Sequence, residues 1–232
     1  MIKSGITQDE LIKWGGQDVF NQALALCNSG DVTDGKIREG GMSGNQFLCR
    51  VYIDKTLTLE STDGAAVTHI VGAADTTSDT AYKGMGANAV RCIGFKTFDM
   101  TATVKGFTIR DGYSSNDGGS TSKTGSDLSS NYGGGICAPG YTLTGKGVHV
   151  TDCVITNNST GAGVLLYPVY VEKCHVLDNR TRGLNNIGAS FDCIVTNSTF
   201  AGNSCSDPGA GIYQYSPEHT LTLYDCIISN NT

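Results

Sequence analysis

The stretch Val171-Glu-Lys-Cys174-His-Val176-Leu-Asp-Asn179 decides the fold, because three other stretches repeat its pattern. An apolar residue is followed by two variable residues, a small residue, one variable residue, a second apolar residue, two variable residues and asparagine. The same pattern occurs at residues 150–158, 195–203 and 223–231. Repeats of about 20–50 residues are typical of solenoids, so the pattern predicts an architecture of stacked coils.

The spacing of the copies separates strands from loops. Their first apolar positions are 150, 171, 195 and 223, so successive repeats are 21, 24 and 28 residues long. Unequal lengths around a fixed pattern indicate constant strands joined by variable loops. An earlier copy covers residues 104–112, and its distance of 46 residues to the next copy falls to 26 when the polar stretch 113–132 is treated as an insertion.

Apolar residues alternate within each copy, which is the pattern of half-buried strands. Val148 and Val150 are expected to point inward, followed after a short bend by Cys153 and Ile155. The segments are three to five residues long and rich in Val, Ile, Thr and Tyr, as strands prefer. Three such strands per coil, paired in parallel with neighbouring coils about 4.8 Å away, make an all-β protein with a right-handed parallel β-helix.

Aligning the copies predicts three columns of equivalent residues along the axis. The first faces the core, and the second lies at a tight corner that accommodates a small side chain. The third is a turn, where asparagine tolerates a left-handed backbone and stacked amides can bond to each other. Gly112 takes this position in the earliest copy, and glycine also suits a left-handed backbone. The columns are Val148, Val169, Cys193 and Leu221; Cys153, Cys174, Ser198 and Cys226; and Asn158, Asn179, Asn203 and Asn231.

A single β-helix domain at 1–232 accounts for the whole length, with a cap region at 1–47, coils at 48–232 and an inserted loop at 113–132. Residues 18–27 have the apolar spacing of an amphipathic α-helix that would cover the first coil. No comparable cap sequence follows the last copy, so we expect the N-terminal part of a longer protein. The exposed coil at 221–228 is expected to self-associate or to fray.

The composition and net charge of the chain limit the classes of function that it can have. A net charge of −6 without a basic stripe argues against a nucleic-acid partner. No apolar signal segment and no transmembrane run is visible, so we expect no membrane insertion in this segment. The chain is either cytoplasmic or, if the fold is of a surface type, an extracellular or cell-surface protein whose leader was trimmed. Most of the nine cysteines are expected to be reduced and buried. The lack of CxxC and HExxH motifs argues against zinc.

A family resemblance is carried by the Trp14-Gly-Gly-Gln17 start, the Gly106-Phe-Thr-Ile-Arg-Asp-Gly112 segment and the glycine-led, asparagine-turn repeats. These resemble bacterial right-handed β-helix surface proteins of the pectin-lyase-like fold, including chlamydial polymorphic outer-membrane proteins. Phe200-Ala-Gly-Asn203 matches the FxxN element of that group, whereas Gly209-Ala-Gly-Ile212 resembles its GGA[ILV] element with the middle residues exchanged. The resemblance covers nearly the whole chain and implies a secreted or surface-anchored protein.

The candidate catalytic residues are Asp111, Asp178, Arg180 and Arg182. The two acids flank Asn157 in neighbouring turns and would be two coils apart, roughly 9.6 Å by the strand spacing. Paired-carboxylate hydrolases need about 5–10 Å between their two acids. The alternative interpretation is structural, because Asp is an ordinary turn residue and Arg an ordinary loop residue.

The candidate ligand-binding residues are Asp117 and Asp127 in the inserted loop, Tyr132 at its end, and Tyr170 on an outer face. His149 would stack near Tyr170 on that face. Tyrosine rings could pack against the CH groups of a sugar. The alternative is that isolated strand tyrosines belong partly to the core.

These observations favour a non-enzymatic, adhesin-like surface or secreted protein that presents loops to a glycan or to a host or cell-surface protein. Two alternatives stay open. One is a polysaccharide lyase or glycoside hydrolase acting on an extracellular polysaccharide, and the other is a fibre or tailspike segment. No cofactor or metal is expected, and Ca²⁺ is the one ion that the lyase alternative would use.

Overall fold

The computed structural model describes residues 30–32, 48–53, 55–77, 84–86, 88–95, 101–114, 133–137, 147–159, 164–166, 168–186, 192–206, 208–214 and 218–232. Side chains are described for all of these except 30–32 and 166. The described residues form strands β1 to β19 and no helix. The capping helix expected at 18–27 and the inserted loop beyond residue 114 lie outside the described residues.

The strands form three parallel sheets, and each complete coil adds one strand to every sheet in turn. The first sheet contains β2 (Leu48–Ile53), β5 (Val90–Phe95), β8 (Ile136–Cys137), β11 (Leu165–Leu166), β14 (Leu184–Asn186) and β17 (Ile212–Gln214). The second contains β3 (Leu57–Glu60), β6 (Thr101–Lys105), β9 (Gly147–Thr151), β12 (Pro168–Glu172), β15 (Cys193–Thr196) and β18 (Leu221–Tyr224). The third contains β1 (Gly30–Val32), β4 (Thr68–Val71), β7 (Thr108–Arg110), β10 (Val154–Thr156), β13 (His175–Leu177), β16 (Thr199–Ala201) and β19 (Ile227–Ser229).

The register confirms the alignment of the repeats. Val150 pairs with Val171, Val171 with Val195, and Val195 with Leu223 in the second sheet. In the third sheet, the Ile155 column continues in the same way to Phe200. Equivalent positions of the sequence pattern therefore stack directly above each other, which is what makes the coils a solenoid.

One hydrophobic core runs through the interior of the coils. The apolar and cysteine positions of the four copies predict eleven inward residues between 150 and 228, and eight of them are fully buried: Val150, Cys153, Ile155, Val171, Cys174, Val176, Val195 and Phe200. Cys226 packs against the core and is partly buried. The other two belong to the last coil and are accessible, Leu223 at 40 % and Ile228 at 49 %.

Left-handed backbone occurs at the first residue of each short corner, one position before the asparagine column. Asp111, Asn157, Asp178 and Asn230 have φ between 52° and 56°. The prediction that the asparagine column and Gly112 adopt this conformation is therefore wrong. Gly112 is required for a different reason, because a Cβ atom there would overlap the carbonyl oxygen of Gly134 on the next coil.

The buried asparagines form the predicted ladder of stacked amides. Asn158 Nδ2 donates to Asn179 Oδ1 at 3.0 Å, Asn179 Nδ2 donates to Asn203 Oδ1 at 2.9 Å, and Asn203 Nδ2 donates to Asn231 Oδ1 at 2.9 Å. Each amide also bonds to backbone, as Asn179 Nδ2 does to the Ile155 carbonyl at 3.0 Å. Buried amides stabilise a fold only when their donors and acceptors are satisfied, and this column satisfies them by stacking.

All eight described cysteines are free thiols, as expected for most of the nine. Those at the tight corner direct their sulfur atoms to backbone carbonyls, such as Cys174 Sγ to the Glu172 oxygen at 3.2 Å. Ser198 keeps this arrangement with its hydroxyl, which donates to Thr196 O at 2.7 Å. The column therefore selects a small side chain with a donor, which is why serine can replace cysteine.

Candidate functional site

The residues Asp111, Asn157 and Asp178 lie on three successive coils at the turn that follows the third sheet. The register of β7, β10 and β13 places Arg110, Thr156 and Leu177 side by side, so the next residue of each strand shares one edge. We call this region the turn edge. The predicted two-coil separation of Asp111 and Asp178 follows from this register.

Both carboxylate oxygens of Asp111 are engaged. Arg110 Nη1 donates to Oδ2 at 2.6 Å, and Asn157 Nδ2 donates to Oδ1. Arg110 Nε also donates to His69 Nδ1 at 3.5 Å. The amide of Asn157 thus stands on the side of Asp111 that faces Asp178.

Asp178 leans away from Asp111. Its Oδ1 lies directly against the Cα of Gly202 on the following coil, where a Cβ atom would overlap it. The side chain of Asp178 is exposed. Both acids therefore lean toward the coil that follows them, and the amide of Asn157 lies between them, which is unlike a pair of catalytic carboxyl groups that share one substrate.

The two candidate arginines separate in space. Arg180 is exposed and stays at the turn edge, where its Nη1 donates to the hydroxyl of Tyr113 at 3.3 Å. Arg182 is buried, with its Nε donating to Pro208 O at 3.1 Å and its guanidinium 4.6 Å from the ring centre of Tyr213. Arg182 therefore packs beside the first sheet. Asp117, Asp127 and Tyr132 lie outside the described residues.

A second group of outward residues crosses the middle of the second sheet. His149 and Tyr170 are cross-strand neighbours, their ring centres are 5.7 Å apart, and the ring planes are inclined by 53°. The predicted position of His149 next to Tyr170 is confirmed, and the two rings are tilted against each other. The pairing extends along the axis to give a row that we call the aromatic row: Thr58, Thr103, His149, Tyr170, Ile194 and Thr222.

A β-bulge in β12 lies immediately before Tyr170. Val148 pairs with Pro168, whereas His149 pairs with Tyr170, so Val169 is an extra residue in β12. Pro168 is buried and Val169 is only partly buried. The prediction that Val169 occupies the inward column is therefore wrong, because one inserted residue reverses which side chains face the core. Bulges commonly redirect a side chain near a functional site.

Charges around the aromatic row are largely paired. Lys105 Nζ lies 3.0 Å from Glu60 Oε1, and Lys173 Nζ lies 3.7 Å from Glu172 Oε1. Burial lowers the pKa of His149, so this imidazole is neutral at pH 7. The row itself is therefore uncharged and combines two rings, an aliphatic side chain and hydroxyl groups.

Sequence reasoning missed a buried cation in the first sheet. Arg91 is 1 % exposed and pairs across strands with Cys49. Its guanidinium also hydrogen-bonds to Cys137. Burial raises the pKa of Cys49 to about 12. The sequence carries no signal for this cluster, because a single arginine in a strand is ordinarily read as exposed.

Two further classes of feature are absent from the described residues. No group of three or more His, Cys, Asp or Glu side chains there could hold a metal ion. The described part of the chain also contains no helix with the length and apolarity needed to cross a bilayer.

Comparison with known proteins identifies the family to which the chain belongs. A family model of the right-handed β-helix region matches residues 91–232, which is more than half of the chain. The chain belongs to the right-handed β-helix family, and the predicted fold class is confirmed. Neither the curated proteins nor the solved structures contain a match. The function must therefore be argued from outward-facing residues, because this scaffold does not determine it.

Proposed function

We propose that this chain is a non-enzymatic surface or secreted protein that binds a glycan on the outer face of its second sheet. The observation that carries the proposal is the His149–Tyr170 ring pair, which the regular pairing of β9 with β12 places on adjacent coils. Aromatic faces supply apolar contact for the CH groups of a sugar, while neighbouring hydroxyl groups supply hydrogen bonds.

The geometry of the aromatic row suits an extended chain. Its residues repeat once per coil, about 4.8 Å apart along the axis. A polysaccharide lying along the axis would meet a new side chain at each coil. Because the strands hold these side chains in place before binding, little conformational entropy is lost when the ligand arrives.

The charge pattern supports a neutral glycan over a polyuronate. The net charge of the chain is −6, and Asp152 and Asp225 project from the corner beside the second sheet. Like charges repel a polyanionic ligand, most strongly at low salt. We therefore expect a neutral or N-acetylated polysaccharide to bind better than a uronate polymer.

The non-enzymatic part of the proposal rests on the turn edge. Asn157 occupies the space between Asp111 and Asp178, and both oxygens of Asp111 already accept hydrogen bonds. A glycosidase requires one carboxyl group as an acid and a second as a base or nucleophile at the same bond. The two acids of the turn edge do not face a shared space.

Affinity electrophoresis in gels that contain neutral, N-acetylated or uronate polysaccharides tests this function. The wild-type protein is expected to be retarded by a neutral or N-acetylated polymer. Tyr170→Ala should weaken binding about tenfold, which corresponds to about 1.4 kcal/mol. Tyr224→Ala is the matched control, because Tyr224 is an exposed tyrosine on the same sheet outside the row.

Thermal unfolding of both variants checks that the fold is intact. Retardation by none of the polymers, or equal retardation of wild type and Tyr170→Ala, would contradict the proposal.

A further inference from the structure

Two cysteines on adjacent coils lie in direct contact at the tight corner between the second and third sheets. Cys153 separates β9 from β10, and Cys174 separates β12 from β13. His175 N donates to Cys153 O at 2.9 Å, so the two corners are in register. Both side chains are completely buried, and their thiols hydrogen-bond to each other. The corner therefore brings together two nucleophilic groups that neither glycan binding nor the turn edge uses.

The stacking of the coils gives these two thiols the spacing of a disulfide. In-register residues on adjacent coils are about 4.8 Å apart at their Cα atoms, and disulfides join Cα atoms that are about 4.4–6.8 Å apart. Cys174 Sγ also lies 3.5 Å from the carbonyl oxygen of Val150, on the coil that contains Cys153. The same column continues to Phe107 on one side and to Ser198 on the other, so neither thiol has a second cysteine neighbour in it.

The hydrogen bonds at this corner distinguish the two thiols. Burial alone would raise the pKa of the Cys153 thiol, but hydrogen bonds from Cys174 and from the backbone amide of Phe107 outweigh it and lower that pKa. The pKa of Cys174 is raised, because its thiol is the donor to Cys153 and is itself buried. The thiolate is the nucleophilic form of cysteine. Cys153 is therefore the group that attacks, and Cys174 is the neutral thiol beside it.

We propose that Cys153 and Cys174 are a redox site at which a hydroperoxide closes a disulfide between two coils. The Cys153 thiolate attacks one peroxide oxygen, the O–O bond breaks, and the leaving oxygen takes up a proton, which leaves a sulfenic acid on Cys153. The sulfur of Cys174 then attacks the sulfenic sulfur, an S–S bond replaces the S–O bond, and water leaves with the thiol proton of Cys174. The peroxide gains two electrons, and each sulfur atom loses one.

The burial of this pair selects small oxidants and determines the consequence of oxidation. Hydrogen peroxide is small and uncharged, so a brief local opening of the corner admits it more readily than a bulky or charged reagent. The disulfide would close the loop between positions 153 and 174, which restricts the unfolded chain, and would link the coil of His149 to the coil of Tyr170. Oxidation at this corner is independent of glycan binding, because it involves inward side chains only.

Peptide mapping of the reduced protein after exposure to hydrogen peroxide tests the proposal, with the remaining thiols alkylated in denaturant before digestion. Trypsin cleaves after Lys146, Lys173 and Arg180, so the two cysteines fall in separate peptides, 147–173 and 174–180. We expect these peptides to become linked, with a combined mass two hydrogen atoms below their sum, and to separate when reductant is added. Cys193 is the internal control and should stay reduced, because it is equally buried but pairs with Leu221.

Cys174→Ser is the matched variant, because Ser198 shows that a hydroxyl group fits this column. It should lose the linked peptide and keep a sulfenic acid on Cys153, which a 1,3-diketone reagent traps in denaturant, while thermal unfolding checks its fold. Absence of the linked peptide from wild type, at a peroxide concentration that oxidises the partly exposed Cys205, would overturn the proposal. Linkage that forms only after unfolding, or oxidation of Cys193 to the same extent, would also overturn it.

Discussion

At the scale of single residues, Phe200 illustrates how much of the stability depends on one stacked position. Its ring is completely buried, between Val176 on the preceding coil and Ile228 on the last coil. Phe200→Ala is expected to lower the free energy of unfolding by about 3–5 kcal/mol, because the coils cannot collapse into the cavity without losing register. Urea denaturation followed by circular dichroism measures this change.

Ile194→Ala is the control for this prediction. Ile194 is 40 % exposed on the adjacent strand, so the substitution should change stability by about 0.5 kcal/mol or less. Equal effects of the two substitutions would show that Phe200 is not part of a packed core.

The carboxyl group of Asp75 makes the stability contributed by one loop depend on pH. Its Oδ1 accepts hydrogen bonds from Thr77 N at 2.8 Å and Thr77 Oγ1 at 2.6 Å, and its Oδ2 accepts one from Asn88 N at 2.9 Å. These bonds, with the Thr77 hydroxyl as the largest contributor, lower the pKa of the carboxyl group. They tie residue 75 to residue 88 across the connection between β4 and β5.

A depressed pKa in the folded state means that the ionised form stabilises folding. This stabilisation is complete above the unfolded pKa of about 3.9 and is lost as the pH falls below it toward the lowered folded pKa. Asp75→Asn should therefore be less stable than wild type at pH 7, because an amide nitrogen cannot accept from Asn88. The difference should shrink as the pH falls below about 4 toward the lowered folded pKa, where protonation of wild-type Asp75 removes the advantage of its carboxylate. Urea midpoints measured between neutral and acid pH test this, and a difference that is independent of pH would contradict it.

At the scale of the element, burial between stacked coils controls the chemistry of the thiols. Cys205 and Cys226 are partly exposed, whereas the other six described cysteines are buried. Burial raises the pKa of Cys92 and Cys193 to about 12, which suppresses the reactive thiolate. Reactivity should therefore depend on how far neighbouring coils bury each thiol, since Cys226 shares a column with the buried Cys153 and Cys174 and yet is partly exposed.

A thiol-labelling count tests this in a Cys27→Ser background, since Cys27 lies outside the described residues. The native protein should react rapidly at two thiols, Cys205 and Cys226, and at all eight in denaturant without reductant. Cys205→Ser should remove one of the two rapid reactions. A count below eight in denaturant would indicate a disulfide, and rapid labelling of buried positions would contradict the core assignment.

At the scale of the whole molecule, the separation of Asp111 from Asp178 by Asn157 predicts a lack of polysaccharide cleavage. We expect no unsaturated product from polygalacturonate, with or without Ca²⁺, above an empty-vector control. The physical reason is that a lyase needs acidic ligands on neighbouring coils and a nearby base, and Asn157 separates the two acids here. Product absorbance that Asp178→Ala abolishes would establish the enzymatic alternative instead.

The sequence by itself determined the coil architecture. Each repeat places Val, Cys, Ile and Asn at fixed offsets, as in Val171, Cys174, Val176 and Asn179. In stacked parallel coils, equivalent offsets must coincide along the axis, so the pattern specifies the strands, the sheets and the asparagine ladder. The outer position of Tyr170 next to His149 follows from the same register.

Only the tertiary structure decided the details at corners, bulges and outer surfaces. Left-handed backbone falls on Asp178 rather than Asn179, because the asparagine amide must point inward to reach the amides of adjacent coils. The extra residue Val169 leaves the repeat pattern almost unchanged, yet it moves Pro168 into the core column. The direction of Asp178 and the burial of Arg182 depend on Gly202, Pro208 and Tyr213 from the following coil. A single repeat does not contain these contacts, since they arise only when two coils of different length are stacked.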